Sequence, residues 1–362
     1  MGDHPPQYYS PRARKYYRKR PSVAGGGGAG GAVGSWKELG RTTLGSAGDS
    51  IDITSLADKR YYMVLEYSLP SGTIDSYTQF NGDTSSSYSQ RRSIDGGADT
   101  TNTNLTILDA IFNSGVAVPH FGVRYIANYS SKEKLTIGHY VRQNTAGNSN
   151  PPNRTQIVSK WANTSNPINR INTQNSSGGS FNTGSEVVVL GYDPADTHTT
   201  TDNFWQELAS VTASGSSTNL SSGTISAKKY LWVQIWLDPS TAQNHLLRFN
   251  NDQNSNYATR YSTNGATDST DGSVTNFNLG SAIGALDGLP SFQNIFIVNN
   301  SSNEKLAIIH SVWQNTSGSS NATGRIEMVG KWTNTSSQIT EIDIDSNYNW
   351  NSGSIMKVWG AD

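Results

Sequence analysis

The sequence predicts an all-β protein: two tandem, internally duplicated β-sandwich domains of jelly-roll-like form, preceded by a flexible basic N-terminal arm. Three observations predict it. A long internal repeat covers nearly everything after Gly34. Within each repeat, short β-branched and aromatic runs alternate with turn clusters. No long stretch carries helical periodicity. The 362 residues include nine Trp, nine Phe and seventeen Tyr, enough bulky material for cores even though hydrophobic residues are only 34 % of the chain.

The repeat is read from paired motifs. "SWKELG" at Ser35 returns as "FWQELA" at Phe204, so that Trp36 maps on Trp205 at an offset of 169 residues. At the same offset "DKRYYMVLEYSL" (Asp58–Leu69) meets "AKKYLWVQIWLD" (Ala227–Asp238), and "FNGDTSSSYSQRRS" (Phe80–Ser93) meets "FNNDQNSNYATRYS" (Phe249–Ser262). A two-residue insertion moves the offset to 171. There Pro119 matches Pro290, "NYSSKEKL" matches "NNSSNEKL", His139 matches His310, and "KWANTS" matches "KWTNTS". The ends return to 169, "VVVLGYD" against "MKVWGAD". The predicted organisation is therefore an arm and glycine hinge over 1–34, a first sandwich over 35–196 and a second over 197–362, with "PADTHTTTDN" as linker.

In the first repeat, strands are predicted near Thr42–Leu44, Ile51–Thr54, Tyr61–Leu69, Tyr77–Phe80, Tyr88–Arg92, Leu105–Leu108, Phe121–Asn128, Leu135–Arg142, Thr155–Trp161 and Glu186–Tyr192. Eight or more strands in a domain of this size point to two packed sheets, of which the jelly roll is the common eight-stranded form. "YYMVLEYSL" shows the expected two-residue period: Tyr62, Val64, Glu66 and Ser68 share one face, while Tyr61, Met63, Leu65, Tyr67 and Leu69 share the other.

The front of the chain is different in kind. Residues 1–20 hold Arg12, Arg14, Lys15, Arg18, Lys19 and Arg20 against Asp3, a net of +5, whereas the remainder carries a net of −6. Tyrosines and prolines separate these cations, and "GGGGAGG" follows as a flexible hinge. Arg binds phosphate bidentately and Tyr stacks on bases, so these six cations are the candidate nucleic-acid-binding residues. An anionic membrane surface or an acidic protein partner are the alternatives.

Chemistry is harder to place. G-x-S-x-G, H-E-x-x-H and P-loop motifs are missing, and no G-x-G-x-x-G lies between strand and helix, because the glycine tract neither follows a strand nor opens a helix. The prediction is a non-enzyme with no cofactor and no metal site. Asp83 and Asp252, in "FNGD" and "FNND", are read as turn chemistry before calcium. The scattered His4, His120, His198 and His245 are expected to be satisfied or exposed. Positions present in both halves, namely Glu38/Glu207, Glu133/Glu304, Lys134/Lys305 and His139/His310, are expected to serve the shared fold, and Trp36/Trp205 and Trp161/Trp332 to be core anchors or lids. With no cysteine, no apolar leader and no run approaching the ~18–20 apolar residues of a membrane span, cytosolic folding without membrane insertion is expected.

A basic arm, a glycine hinge and paired sandwiches resemble jelly-roll capsid proteins, including the double jelly-roll major capsid proteins of tailless DNA viruses. The segments "WKELGRTTLGSAGDSIDI", "RFNNDQNSNYATRYS" and "KEKLTIGHYVRQNTAGNSNPPNRTQIVSKW" are similar to proteins of marine and archaeal virus genomes. The resemblance implies a shell subunit assembled in the host cytoplasm and carried in the virion. Its partners would be further copies of itself, packaged nucleic acid through residues 1–20, and other virion proteins. Two other readings stand beside it. One is a virion appendage, tail or head-decoration protein whose exposed aromatics stack on host-surface glycans. The other is a polysaccharide-active enzyme, for which no single-copy carboxylate pair is evident.

Overall fold

The computed structural model describes residues 35–111, 117–196, 200–280, 289–315 and 317–362. The arm, with Arg12, Arg14, Lys15, Arg18, Lys19 and Arg20, lies outside the described residues, as do His4 and His198. The first repeat contributes β1 (Lys37–Thr43), β2 (Ser50–Ile53), β3 (Tyr61–Ser68), β4 (Ser76–Phe80), β5 (Tyr88–Ile94), β6 (Thr100–Leu105), β7 (Leu108–Ile111), β8 (His120–Ala127), β9 (Lys134–Arg142), β10 (Asn153–Trp161), β11 (Ile171–Asn175) and β12 (Glu186–Tyr192). The second contributes β13 (Gln206–Thr212), β14 (Asn219–Ser221), β15 (Tyr230–Leu237), β16 (Leu246–Phe249), β17 (Tyr257–Thr263), β18 (Ser269–Val274), β19 (Phe277–Asn278), β20 (Ser291–Val298), β21 (Lys305–Trp313), β22 (Gly324–Trp332), β23 (Ile342–Asp345) and β24 (Ile355–Ala361). No α-helix occurs among the described residues.

Each repeat forms its own pair of antiparallel sheets. The first has an eight-stranded sheet in the order β1-β12-β3-β8-β9-β10-β5-β6 and a four-stranded sheet β2-β11-β4-β7; the second repeats both orders, β13-β24-β15-β20-β21-β22-β17-β18 and β14-β23-β16-β19. The chain is thus all-β with two sandwich-like domains.

Three differences from the expected strands have physical causes. The single strand expected over Leu105–Leu108 is two: β6 ends in the large sheet and β7 begins in the small one, with Asn104 at φ 55° just before the break. β11 was not expected, because Ile171 is its one buried apolar residue, and Asn172 and Thr173, on opposite faces, are buried beside it. β1 starts at Lys37, earlier than expected, and is bulged between Glu38 and Gly40.

The inner cores follow from aromatic packing. Trp161 stacks on Tyr88 with ring centroids 6.3 Å apart and touches Phe80; Trp332 stacks on Tyr257 at 6.4 Å and touches Phe249. Each indole N–H needs an acceptor when buried. Asp83 receives the Trp161 Nε1 proton at 2.7 Å, and Asp252 that of Trp332 at 2.8 Å. Each Asp is set by a tight turn in which Asn81 and Gly82, or Asn250 and Asn251, take positive φ. Ser85 and Ser87 also donate to Asp83, and these bonds hold its carboxyl down to about 2 against the raising effect of burial. The two Asp residues are therefore anchors for core tryptophans.

A third apolar cluster lies between the repeats, joining outer-face residues of both eight-stranded sheets. The molecule is four layers deep, with the two large sheets face to face at its centre.

Candidate assembly interface

The central contact is built from β3, β8, β9 and β12 of the first repeat. Their outward side chains Tyr67, Phe121, Val123, Val141, Val188 and Leu190 are all buried. Against them sit Leu306, Ile308 and Val329 of β21 and β22, with Tyr230, Phe296 and Val298 from the near ends of β15 and β20. Phe121 stacks on Tyr230 at 6.1 Å, and Tyr125 meets Phe296 edge-on at 6.5 Å. The face exists because strands bury alternate residues. In β9, Thr136, Gly138 and Tyr140 point into the sandwich, which leaves Leu135, Ile137, His139 and Val141 outward.

Charged groups close the rim of this contact. Arg154 forks onto Asp268, with Nη2 at 2.6 Å and Nε at 2.8 Å, and reaches Glu327 at 3.4 Å. Both partners are buried, at 6 % and 2 % side-chain exposure. Burial works against the Arg154 charge, but Asp268 outweighs it and the guanidinium is held above its ordinary value. Lys331 pairs with Glu304 at 3.0 Å and donates to the Thr145 carbonyl at 2.6 Å, while Glu304 accepts from Gly147 N–H at 2.6 Å. Burial would raise the Glu186 carboxyl; hydrogen bonds from Thr43 and from Tyr230 (2.7 Å), with Lys229 at 3.0 Å, hold it below its usual range.

His139 and His310 meet at the centre, ring centroids 4.3 Å apart. They are duplicated, yet they serve the joint between the repeats rather than either sandwich. Burial, then the neighbouring His310 and Arg154, pushes His139 down to about 3, and burial also lowers His310. Trp36 and Trp205 belong to the same outer layer: Trp36 packs on Tyr125 and Tyr192, and Trp205 on Trp232 and Phe296.

Two apolar groups of the large sheets stay open to solvent. On the first repeat Leu135, Ile137 and Val158 are 58, 51 and 48 % exposed, under a groove of about 470 Å³ rimmed by Arg91, Thr101 and Thr103. On the second, Trp236, Phe292 and Val312 are each 39 % exposed and lie in one cross-strand row of β15, β20 and β21. Solvent-facing apolar clusters on a sheet mark interaction surfaces. A sequence signal for them existed: in "KLTIGHYVR" the more apolar of the two alternating faces is the one pointing away from the sandwich.

Other ionisable groups are sealed inside the sandwiches. Glu66, Arg124 and Tyr140 form a buried cluster in the first repeat, with Arg124 Nε donating to Tyr140 Oη at 2.8 Å. Burial raises the Glu66 carboxyl, against the lowering pull of Arg124. The corresponding positions of the second repeat are Ile235, Ile295 and Ser311. His120 and His245, expected to be satisfied or exposed, are neither: both are wholly buried without a hydrogen-bond partner, and burial lowers each to about 3. Lys134 and Lys305 do serve the fold, each capping a core tryptophan ring, at 5.4 and 5.6 Å, and donating to a turn carbonyl. No helix among the described residues is long and apolar enough to cross a membrane.

No family model matches the chain, and no curated protein matches it. Among solved structures it is similar to domains LG4-5 of the mouse laminin α1 chain, at 9 % identity and TM-score 0.21, covering 92 % of each chain. The LG1-3 region of the laminin α2 chain aligns at 9 % identity and TM-score 0.21, over 86 % of this chain and 64 % of that one. Ail, the attachment invasion locus protein of Yersinia pestis, aligns at 7 % identity and TM-score 0.13, over 76 % and 98 %. Similarities this low assign neither a family nor a function.

Proposed function

We propose that this chain is a structural subunit of a virion shell that self-assembles, each repeat being a jelly roll and the basic arm holding packaged nucleic acid. The observation that carries the reading is the pair of exposed apolar sheet faces, Leu135/Ile137/Val158 and Trp236/Phe292/Val312, which hold six of the eight large hydrophobics exposed among the described residues. Such faces are stable in a soluble protein chiefly when something covers them. The jelly-roll assignment is supported by strand order. Removing the β5–β6 and β9–β10 hairpins leaves sheets β1-β12-β3-β8 and β2-β11-β4-β7, the order produced when eight strands alternate between two sheets as paired Greek keys. The arm reading rests on six cations within residues 1–20 and the glycine tract behind them.

The test is the light-scattering mass of the full-length protein with absorbance at 260 and 280 nm across the same peak. A large species with excess 260 nm absorbance that resists nuclease is expected. Binding should weaken steeply with salt, by a slope of roughly −0.7 to −0.9 per phosphate contact. A monomer without nucleic acid at low salt sinks the proposal. Exposed Trp236 and Phe292 would then favour the appendage reading, in which aromatics stack on sugars.

A further inference from the structure

The joint between the repeats uses different halves of two like sheets. The first repeat contributes the half around Tyr67, Phe121 and Val141, which are 0, 1 and 0 % exposed. Their counterparts in the second repeat are Trp236, Phe292 and Val312, the exposed row. The second repeat contributes Leu306, Ile308 and Val329, at 0, 2 and 3 %. Their counterparts in the first repeat are Leu135, Ile137 and Val158, the other exposed group. The contact is therefore heterologous: half A of one sandwich covers half B of the next. Each molecule is left with one unused half B, on its first repeat, and one unused half A, on its second.

The charges follow the same rule. Arg154 and Asp268 pair within the joint; by the repeat they correspond to Arg325 and Asp99. Those two are exposed at 56 and 52 %, Arg325 beside half A and Asp99 beside half B. Lys331 and Glu304, which grip the Gln143–Gly147 segment, correspond to Lys160 and Glu133, an exposed pair at 44 and 41 %. Gln314 and Gly318, the counterparts of Gln143 and Gly147, are present at the far end of β21. The free ends thus carry the apolar row, the cation and the anion that the filled joint uses.

We infer that half A of the second repeat docks on half B of the first repeat of another copy of this chain, in the geometry already seen between the repeats. Every joint in the assembly then follows one rule, and copies link head to tail into a closed ring or an open filament according to the rotation per step. Substitutions distinguish the free half A from the filled one. Leu65, Tyr67, Val123 and Val188 of the filled half correspond to Gln234, Trp236, Asn294 and Lys357 in the free one. A more polar surface bearing a tryptophan suits a contact made between folded molecules, which must stay soluble before they meet. This inference rests on the self-assembly reading above and specifies its partner and surface.

The experiment uses the full-length chain in 0.5 M salt, to strip nucleic acid, with mass followed by sedimentation velocity against concentration. Ile137→Lys blocks half B and Phe292→Lys blocks half A; both sites are exposed and outside the filled joint. Wild type is expected to grow beyond a dimer, and each variant to remain monomeric with an unchanged thermal midpoint. An equimolar mixture of the two variants should stop at a dimer, because one intact A meets one intact B and both outer ends are blocked. Asp99→Arg and Arg325→Asp should each weaken growth at least tenfold, and the double variant should regain it. If wild type grows while the variants grow equally well, or if the mixture stays monomeric, the head-to-tail joint is wrong and self-assembly survives by another surface. If wild type itself remains monomeric at every concentration, the self-assembly reading falls with it.

Discussion

Trp161 and Trp332 occupy the same place in the two repeats and have the same surroundings: a stacked tyrosine, an inclined phenylalanine, a capping lysine and an Asp acceptor. The residues just before them, Lys160 and Lys331, match in sequence and differ in everything else. Lys160 is 44 % exposed beside Glu133, whereas Lys331 is fully buried among Glu304 and two backbone carbonyls of the first repeat. Each lysine points outward from its sandwich, where the environment is set by the neighbouring molecule or domain. Apart from His139 and His310, which meet each other across the joint, equal burial across the repeat thus marks what folds a sandwich, and unequal burial marks what joins one sandwich to another.

Breaking the symmetric pair tests the first half of that statement. Trp161→Ala and Trp332→Ala should each cost about 3–5 kcal/mol, the usual range for a fully buried large aromatic. The two losses should agree to within about 1 kcal/mol in urea unfolding. A clear disparity would mean that the repeats do not share one core design.

The lysines test the second half with a smaller effect. Lys331→Ala leaves Glu304 buried without its cation, and removing one partner of a buried pair costs about 3 kcal/mol. Lys160→Ala removes an exposed pair and should cost under about 1 kcal/mol. Equal losses in the unassembled chain would show that the second repeat is not docked on the first in solution.

Much of this was legible in the sequence. The repeat, its offsets and most strands followed from motifs whose spacing is fixed by covalent order, and Asp83 and Asp252 were read as turn residues because Asn-Gly-Asp is local chemistry. The joint between the repeats escaped for one reason. Half A and half B are each assembled from several strands whose order in the sheet, β12-β3-β8-β9-β10, is not the chain order. Nothing in a single strand says which of its faces meets a second domain. His139 and His310 show this well: duplication argued for a role inside each sandwich, whereas their shared burial depends on a partner more than 170 residues away. β11 escaped for a different reason, since its buried Asn172 and Thr173 look like loop residues in a polar chain.

The smallest effect comes from those two histidines and separates the joint from the sandwiches by pH. His139 is held down to about 3, against an ordinary value of about 6.5, because a charged imidazole would sit poorly solvated beside His310 and Arg154. As pH falls below about 6.5 the unfolded chain takes up a proton that the docked form refuses, so stability is full above that pH and is lost progressively toward 3. At pH 5 the loss from this one imidazole is about 2 kcal/mol. Glu327, facing His310 and Arg154 from β22, opposes the shift at His310 but does not reverse it. His120 and His245 titrate in the same direction inside the cores, so wild type is acid-sensitive for more than one reason. His139→Gln isolates the joint: between pH 7 and pH 5 the variant should lose about 2 kcal/mol less than wild type in paired urea titrations. An identical pH slope in the two proteins would place His139 in water, and the two sheets would not be face to face.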